Sequence, residues 1–289
     1  MLAVTAFSGW TVSDALLKLV RQEHIPDGQI MLVSGLSGMA FIFLFTVLRG
    51  HIRRLQPHKW SGLFAIGISQ WVAFICWIHA LPHLPLTNMY IVAFLTPLTV
   101  ACLATLVLKE HLGWRRAIPI ATGFAGVVVA VNPESLMQDS SAWLPYLTVF
   151  GSMIGTSSQM LLLRAVGHKE SGECMSFYPR FILASMGALF CVANGLVAMK
   201  PWVFMALCAS GALASLGWAL LSQAYKNAPA AAVAPFHYSQ MLMGALLGFL
   251  IWGDVPNRYL ICGAAIIITS GIYLVRHERR VSRMMIRAD

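Results

Sequence analysis

Residues 29–48 read QIMLVSGLSGMAFIFLFTVL, a run without one charged side chain. The hydrocarbon core of a bilayer is about 30 Å thick and an α-helix rises about 1.5 Å per residue, so about 20 apolar residues cross it. This stretch is long enough to span a membrane. Ser34 and Gly38, one turn apart within it, allow a neighbouring helix to come close.

Working outward, ten runs of this kind can be marked, at roughly 2–20, 29–48, 60–80, 86–107, 116–132, 144–165, 174–197, 202–224, 230–252 and 258–276. The breaks fall on charged or Pro/Gly-rich segments: Arg21 to Gly28, Arg49 to Lys59, Lys109 to Arg116, Asn132 to Ser141 and His168 to Glu173. Across all 289 residues, 58% are hydrophobic and 11% charged. A soluble domain carries about a quarter charged residues. A soluble enzyme, a secreted disulfide scaffold and a disordered chain are therefore excluded in favour of a polytopic membrane protein. Membrane helices tolerate the 23 Gly and 13 Pro, because neighbouring helices re-satisfy the backbone. The six cysteines lie singly in apolar segments, with no CxxC and no His at ligand spacing, so neither disulfide nor metal is expected. The first run has no basic leader or cleavage site but carries Asp14 and Lys18, unlike a signal peptide. It starts almost at Met1, as it would if a short native N-terminus were missing.

The formal charge of +9 follows the sidedness of the loops. With the N-terminus in the cytoplasm, the inner loops and tail hold 15 Lys and Arg and the outer loops 4, with Arg180 inside a helix. That bias predicts both termini inside, in a bacterial-type inner (plasma) membrane, and explains the basic balance without nucleic acid. The Arg-rich segment 277–289 reads as a cytoplasmic tail, lying on anionic headgroups or solvated.

The two halves resemble each other at an offset of 144 or 145: Ser13 with Ser158, Ala80 with Ala224, Pro85 with Pro229, Glu110 with Asp254, and Gly126 with Gly271. Residues 1–133 and 142–276 then form two five-helix repeats. An odd number of spans inverts the second copy, and inverted repeats serve alternating access in secondary transporters.

The fourth and fifth runs contain Ala93-Phe94-Leu95-Thr96-Pro97, then Leu108-Lys109-Glu110-His111-Leu112, then Gly123 and Gly126-Val127-Val128. The second half has Ala224-Tyr225, Asn227-Ala228-Pro229, Trp252-Gly253-Asp254, Gly263 and Gly271-Ile272. Together with Ser13-Asp14-Ala15, this resembles the EamA-type family of the drug/metabolite transporter superfamily over nearly the whole chain. Departures are Ser34-Gly35 in place of an Arg in the second helix, Arg180 in the seventh, His237 to Met241 where Pro is common, and Asp254 in place of Glu. The resemblance implies an all-α membrane protein of ten transmembrane helices, in two inverted five-helix repeats around a central cavity. It also implies movement of small metabolites such as amino acids, often outward.

Ionisable groups inside a bilayer cost about 2.5–3.5 kcal/mol on insertion scales, so each is a functional candidate. Asp14 and Lys18, four apart, can pair with each other, or Asp14 can bind a substrate amine or a coupling proton. Arg180, after Tyr178-Pro179, attracts a carboxylate or snorkels to the inner interface. Polar and aromatic side chains at mid-membrane positions outline a candidate cavity: Trp10, Gln70, Trp71, Trp77, Tyr90, Phe94, Gln159, Trp218, Ser222, His237, Tyr238 and Gln240. Such a cavity suits an amino acid with an aromatic or other apolar side chain. Gly151-x3-Gly155 and Gly244-x3-Gly248 are further close-approach sites. Pro97 is expected to kink the fourth helix, and Pro85 and Pro229 to act as hinges.

No G-x4-GK[ST] occurs, so no nucleotide is expected, and no catalytic constellation or cofactor motif appears. The expected function is a secondary transporter exporting a small organic metabolite, with the lipid bilayer as its other partner. The alternatives are a broad drug-efflux carrier dependent on Asp14, or a membrane-embedded enzyme using Asp14 or His237.

Overall fold

The computed structural model describes residues 2–108, 114–131, 143–166, 170–227, 239–255 and 257–286. The first half contains α1 (Leu2–Arg21), α2 (Asp27–Leu48), α3 (Trp60–Ala80), α4 (Leu86–Ala93), α5 (Thr96–Leu108) and α6 (Trp114–Val131). The second contains α7 (Trp143–Val166), α8 (Gly172–Asn194), α9 (Pro201–Asn227), α10 (Ser239–Trp252) and α11 (Arg258–Ile286). One 3-10 turn, Ile52–Leu55, lies between α2 and α3, and no strand occurs among the described residues. Asp27–Leu48, Trp60–Ala80, Gly172–Asn194 and Pro201–Leu221 are each long and apolar enough alone to cross a membrane.

The helices make ten spans, because α4 and α5 share the fourth. Its expected kink is a break, and it precedes Pro97. Proline disfavours helical backbone in the residue before it and supplies no N–H to the carbonyl four residues back. The ladder stops at Phe94 and Leu95, and the Thr96 hydroxyl bonds the Ala93 carbonyl at 2.5 Å instead. Pro97 therefore sits in the first turn of α5, where its missing donor costs little. At the other end of the chain, α11 continues past the apolar run to Ile286, so the expected tail is helical over most of its length.

Packing is symmetric between the halves. The α1 helix lies along α9 and α3 along α7; α2 meets α9 and α3 meets α8; α2 pairs with α8, and α6 with α11. Exchanging each helix for its counterpart in the other half maps this pattern onto itself, as a two-fold axis requires. Near the end of α1, Lys18 reaches Trp252 and Asp254, while near the start of α7, Tyr146 accepts from Asn88 at the head of α4. The repeats therefore run in opposite directions.

Close approach is built on small residues. A Cβ on Gly35 of α2 would stand 2.8 Å from the Ala184 nitrogen of α8, and one on Gly155 of α7 would stand 2.9 Å from the Ala73 nitrogen of α3. Polar ties hold both ends of the α2–α8 pair. On the N-terminal side of the molecule, the buried Glu170 carboxylate accepts from the His58 and Lys59 backbone N–H groups at 2.8 and 2.6 Å. On the opposite side, the Gln29 amide donates to the Val197 carbonyl at 2.8 Å and accepts from its N–H at 3.0 Å.

The main hydrophobic cluster is one-sided. It includes Leu17, Val20, Ile30, Met31, Ile78, Leu81, Leu86, Met89, Val203, Leu207 and Leu260, the helix ends remote from the N-terminus. Among the described residues, a second cluster of Leu95, Leu98 and Met153 lies by the break in the fourth span, and the N-terminal side shows the small group of Ala6, Phe7 and Leu221. Among the described residues, the larger hydrophobic cluster thus seals one side of the membrane midplane.

Candidate functional site

Beneath that seal lies a cavity of about 180 Å³. Trp10, Ser13, Asp14 and Leu17 of α1 line it, with Gln70, Ala73, Phe74 and Trp77 of α3. Tyr90, Ala93 and Thr96 come from around the break in the fourth span. The second repeat supplies Ser152, Met153, Thr156, Gln159 and Met160 of α7, Arg180 of α8, Ala214 and Trp218 of α9, and Gln240 of α10. The break in the fourth span lies at this wall, and irregular backbone is tolerated in a membrane only where it faces protein or a cavity.

Asp14 is held by two neutral donors. The Trp77 indole N–H reaches Oδ1 at 3.1 Å and the Tyr90 hydroxyl reaches Oδ2 at 2.7 Å. The two rings pack tilted, with centroids 5.6 Å apart. Tyr90 can take this position because Gly244 offers no side chain: a Cβ there would lie 2.5 Å from the ring. On the opposite wall, the Trp10 indole donates to the Ala214 carbonyl at 2.9 Å and packs against Trp218 at 5.2 Å.

The expected Asp14–Lys18 pair does not form. Lys18 instead faces Asp254 at 3.6 Å, with its ammonium 4.5 Å from the Trp252 ring centre. The reason is geometric: Asp14 turns toward α3 and α4, and Lys18 toward the loop after α10. Nor does Arg180 snorkel. It is 4% exposed, and its stem runs past Gly38, where a Cβ would lie 3.3 Å from Arg180 Cδ. It is one of the residues lining the cavity, and among the described residues no acidic group lies within salt-bridge distance of it.

The structure thus brings Trp10, Asp14, Gln70, Trp77, Tyr90, Gln159, Trp218, Gln240 and Arg180 to one hollow. It places two expected wall residues elsewhere. Trp71 packs edge-on against Phe190 at 6.4 Å, and Phe94 is buried in the main cluster. Pro85 caps the start of α4. His237, Tyr238 and Pro229 lie outside the described residues, as do the side chains of Ser222 and Pro97. Ser13 and Thr96, which stand within the family motifs, also line the wall, as do Ser152, Thr156, Met153 and Met160, none of which was expected there. Small hydroxyl and thioether residues are equally common in helix packing, so no local signal marked them.

Ten spans in two antiparallel halves, around a midplane hollow lined by Asp14 and Arg180, are the architecture of a membrane carrier. The chain belongs to the EamA-like transporter family, whose pattern matches residues 1–132 and 143–276. Among its relatives are a riboflavin transporter of Rhizobium johnstonii, 26% identical over 85% of this chain and 80% of that one. An S-adenosylmethionine uptake transporter of Rickettsia prowazekii is 25% identical over 74% of this chain and 71% of its own. The pseudopaline exporter CntI of Pseudomonas aeruginosa is 23% identical over 96% of both. A solved protein crystal structure shares the fold with a TM-score of 0.65 at 17% identity, covering 95% of this chain and 98% of that one. The protein is therefore an integral membrane transporter of the drug/metabolite type, moving small metabolites, and not an enzyme.

Proposed function

We propose that this protein is a secondary transporter that moves an amino acid with an aromatic or other apolar side chain by alternating access. It faces the cytoplasm with both termini, in the inner membrane, and works in the direction of export. The observation that carries the reading is the midplane cavity closed on one side, with aromatic walls (Trp10, Trp77, Tyr90, Trp218) and a few convergent polar groups (Asp14, Gln70, Gln159, Gln240). Flat aromatic walls favour an apolar side chain, and the polar groups fix the orientation of its head. Two inverted repeats that exchange conformations open such a site to either side in turn. The orientation rests on the basic residues, 15 of which fall on the side of the termini and 4 on the other. Export rests on the family resemblance; relatives named for uptake and for export both match.

Proteoliposomes loaded with L-phenylalanine or L-methionine test it. Saturable uptake of the labelled amino acid, accelerated by the same unlabelled amino acid inside, is the expected result in both directions. Linear flux without counterflow overturns the reading.

A further inference from the structure

We propose that Arg180 is the carboxylate subsite of the cavity, where the carboxylate of the transported amino acid docks. This rests on the transport reading above and deepens it. A guanidinium is charged under all physiological conditions, and a bilayer interior supplies no anion for it. Here it is 4% exposed and lines a cavity at the level of the membrane interior. The α8 backbone delivers it just after Pro179, and the missing side chain of Gly38 leaves room for its stem. Among the described residues it has no carboxylate partner, whereas Lys18, the other buried cation they show, faces Asp254, and the part-buried Arg21 pairs with Asp27.

The one carboxylate on the cavity wall, Asp14, already accepts from Trp77 and Tyr90, one donor on each oxygen. The remaining polar groups on the wall are amides and hydroxyls, which are neutral. The wall thus has a cation without a carboxylate partner, while its one carboxyl already has a donor on each oxygen. A planar guanidinium matches a carboxylate with two parallel hydrogen bonds. An amine without a carboxylate would leave Arg180 unmatched. An amino acid supplies the carboxylate that Arg180 lacks.

The test compares three probes in counterflow: L-phenylalanine, L-phenylalaninamide and phenethylamine. Wild type is expected to prefer phenylalanine by about ten-fold or more in KM, the worth of a hydrogen bond to a charged group. Arg180→Gln is expected to raise the phenylalanine KM by a similar factor and to leave the amide and the amine unchanged, so that discrimination disappears. Arg180→Lys, which keeps the charge but not the fork, should restore part of it. Quenching of the cavity tryptophans by each probe in detergent reports binding by the same variants apart from turnover. Equal wild-type KM values for phenylalanine and its amide overturn the inference while leaving the transport reading intact, as does Arg180→Gln with unchanged discrimination. Absence of saturable phenylalanine and methionine exchange in wild type overturns both.

Discussion

Asp14 and Lys18 stand one helical turn apart on α1, yet different parts of the molecule hold them: the first repeat holds Asp14 through Trp77 and Tyr90, and the second holds Lys18 through Asp254 and Trp252. The Asp14 arrangement depends on a residue with no side chain. Tyr90 reaches the carboxylate because its ring lies over Gly244. A methyl group there meets the ring at 2.5 Å, so the ring must rotate or α10 must retreat from α4. Gly244→Ala is therefore expected to destabilise the protein by about 1–3 kcal/mol, the usual cost of overpacking, and to weaken the Tyr90–Asp14 bond. The measurement is the thermal midpoint in detergent for Gly244→Ala, Tyr90→Phe and the double variant. If the glycine acts through Tyr90, the double variant loses less than the sum of the singles; additive losses would separate the two. Asp14, Trp77 and Tyr90 were legible in the sequence because polar and aromatic groups stand out in apolar runs. Their bonding was not, since the partners lie on other helices and the nearest candidate in sequence, Lys18, is not the one used.

At the scale of the element, the spans were legible because a helix in lipid must bury its own backbone bonds, and this fixes run length. What a run cannot reveal is which face meets which neighbour. Ser34-x3-Gly38 reads as a close-approach face, but only the structure shows that Gly35 between them is a point of α2–α8 contact, against Ala184, alongside Gly28 and Gly187. The break at Phe94 and Leu95 escaped for a related reason: proline acts on the residues before it, and whether a helix kinks or stops depends on what receives the freed carbonyl, here the Thr96 hydroxyl. Because Gly35 meets backbone rather than a flexible side chain, a branched residue there cannot be accommodated by rotamer change. Gly35→Val is expected to separate α2 from α8 and sharply lower the yield of folded protein after extraction, read by size-exclusion profile. Gly50→Val, at a position with nothing within 4 Å but a φ of 69°, should cost only local backbone strain. If both variants behave alike, helix approach at Gly35 is not what the fold needs.

For the whole molecule, the decisive asymmetry is between a densely packed end and a cavity just beneath it. Opening toward the packed side must separate Leu17, Ile78, Leu86 and Met89, and it must also part Lys18 from Asp254, which joins α1 of one repeat to the α10–α11 turn of the other. In the closed state, the Lys18 side chain is 10% exposed and that of Asp254 28%, so their attraction is only partly screened. In an open state, water solvates both groups and the pair contributes nothing. Removing one charge therefore penalises the closed state alone. At about 0.5–1 kcal/mol for a pair of this exposure, Asp254→Asn is expected to raise the population open on that side by about two- to five-fold. A Met89→Cys reporter, in a background without the six native cysteines, reads this as a proportionate gain in labelling by a membrane-impermeant maleimide added outside intact cells. A Lys18→Asp, Asp254→Lys exchange keeps the attraction with the signs reversed and should return labelling toward the starting rate, though the ammonium then loses its place over Trp252. Unchanged labelling in Asp254→Asn would mean that hydrophobic packing alone keeps this end shut. Labelling only from the cytoplasmic side would instead invert the orientation drawn from the basic loops.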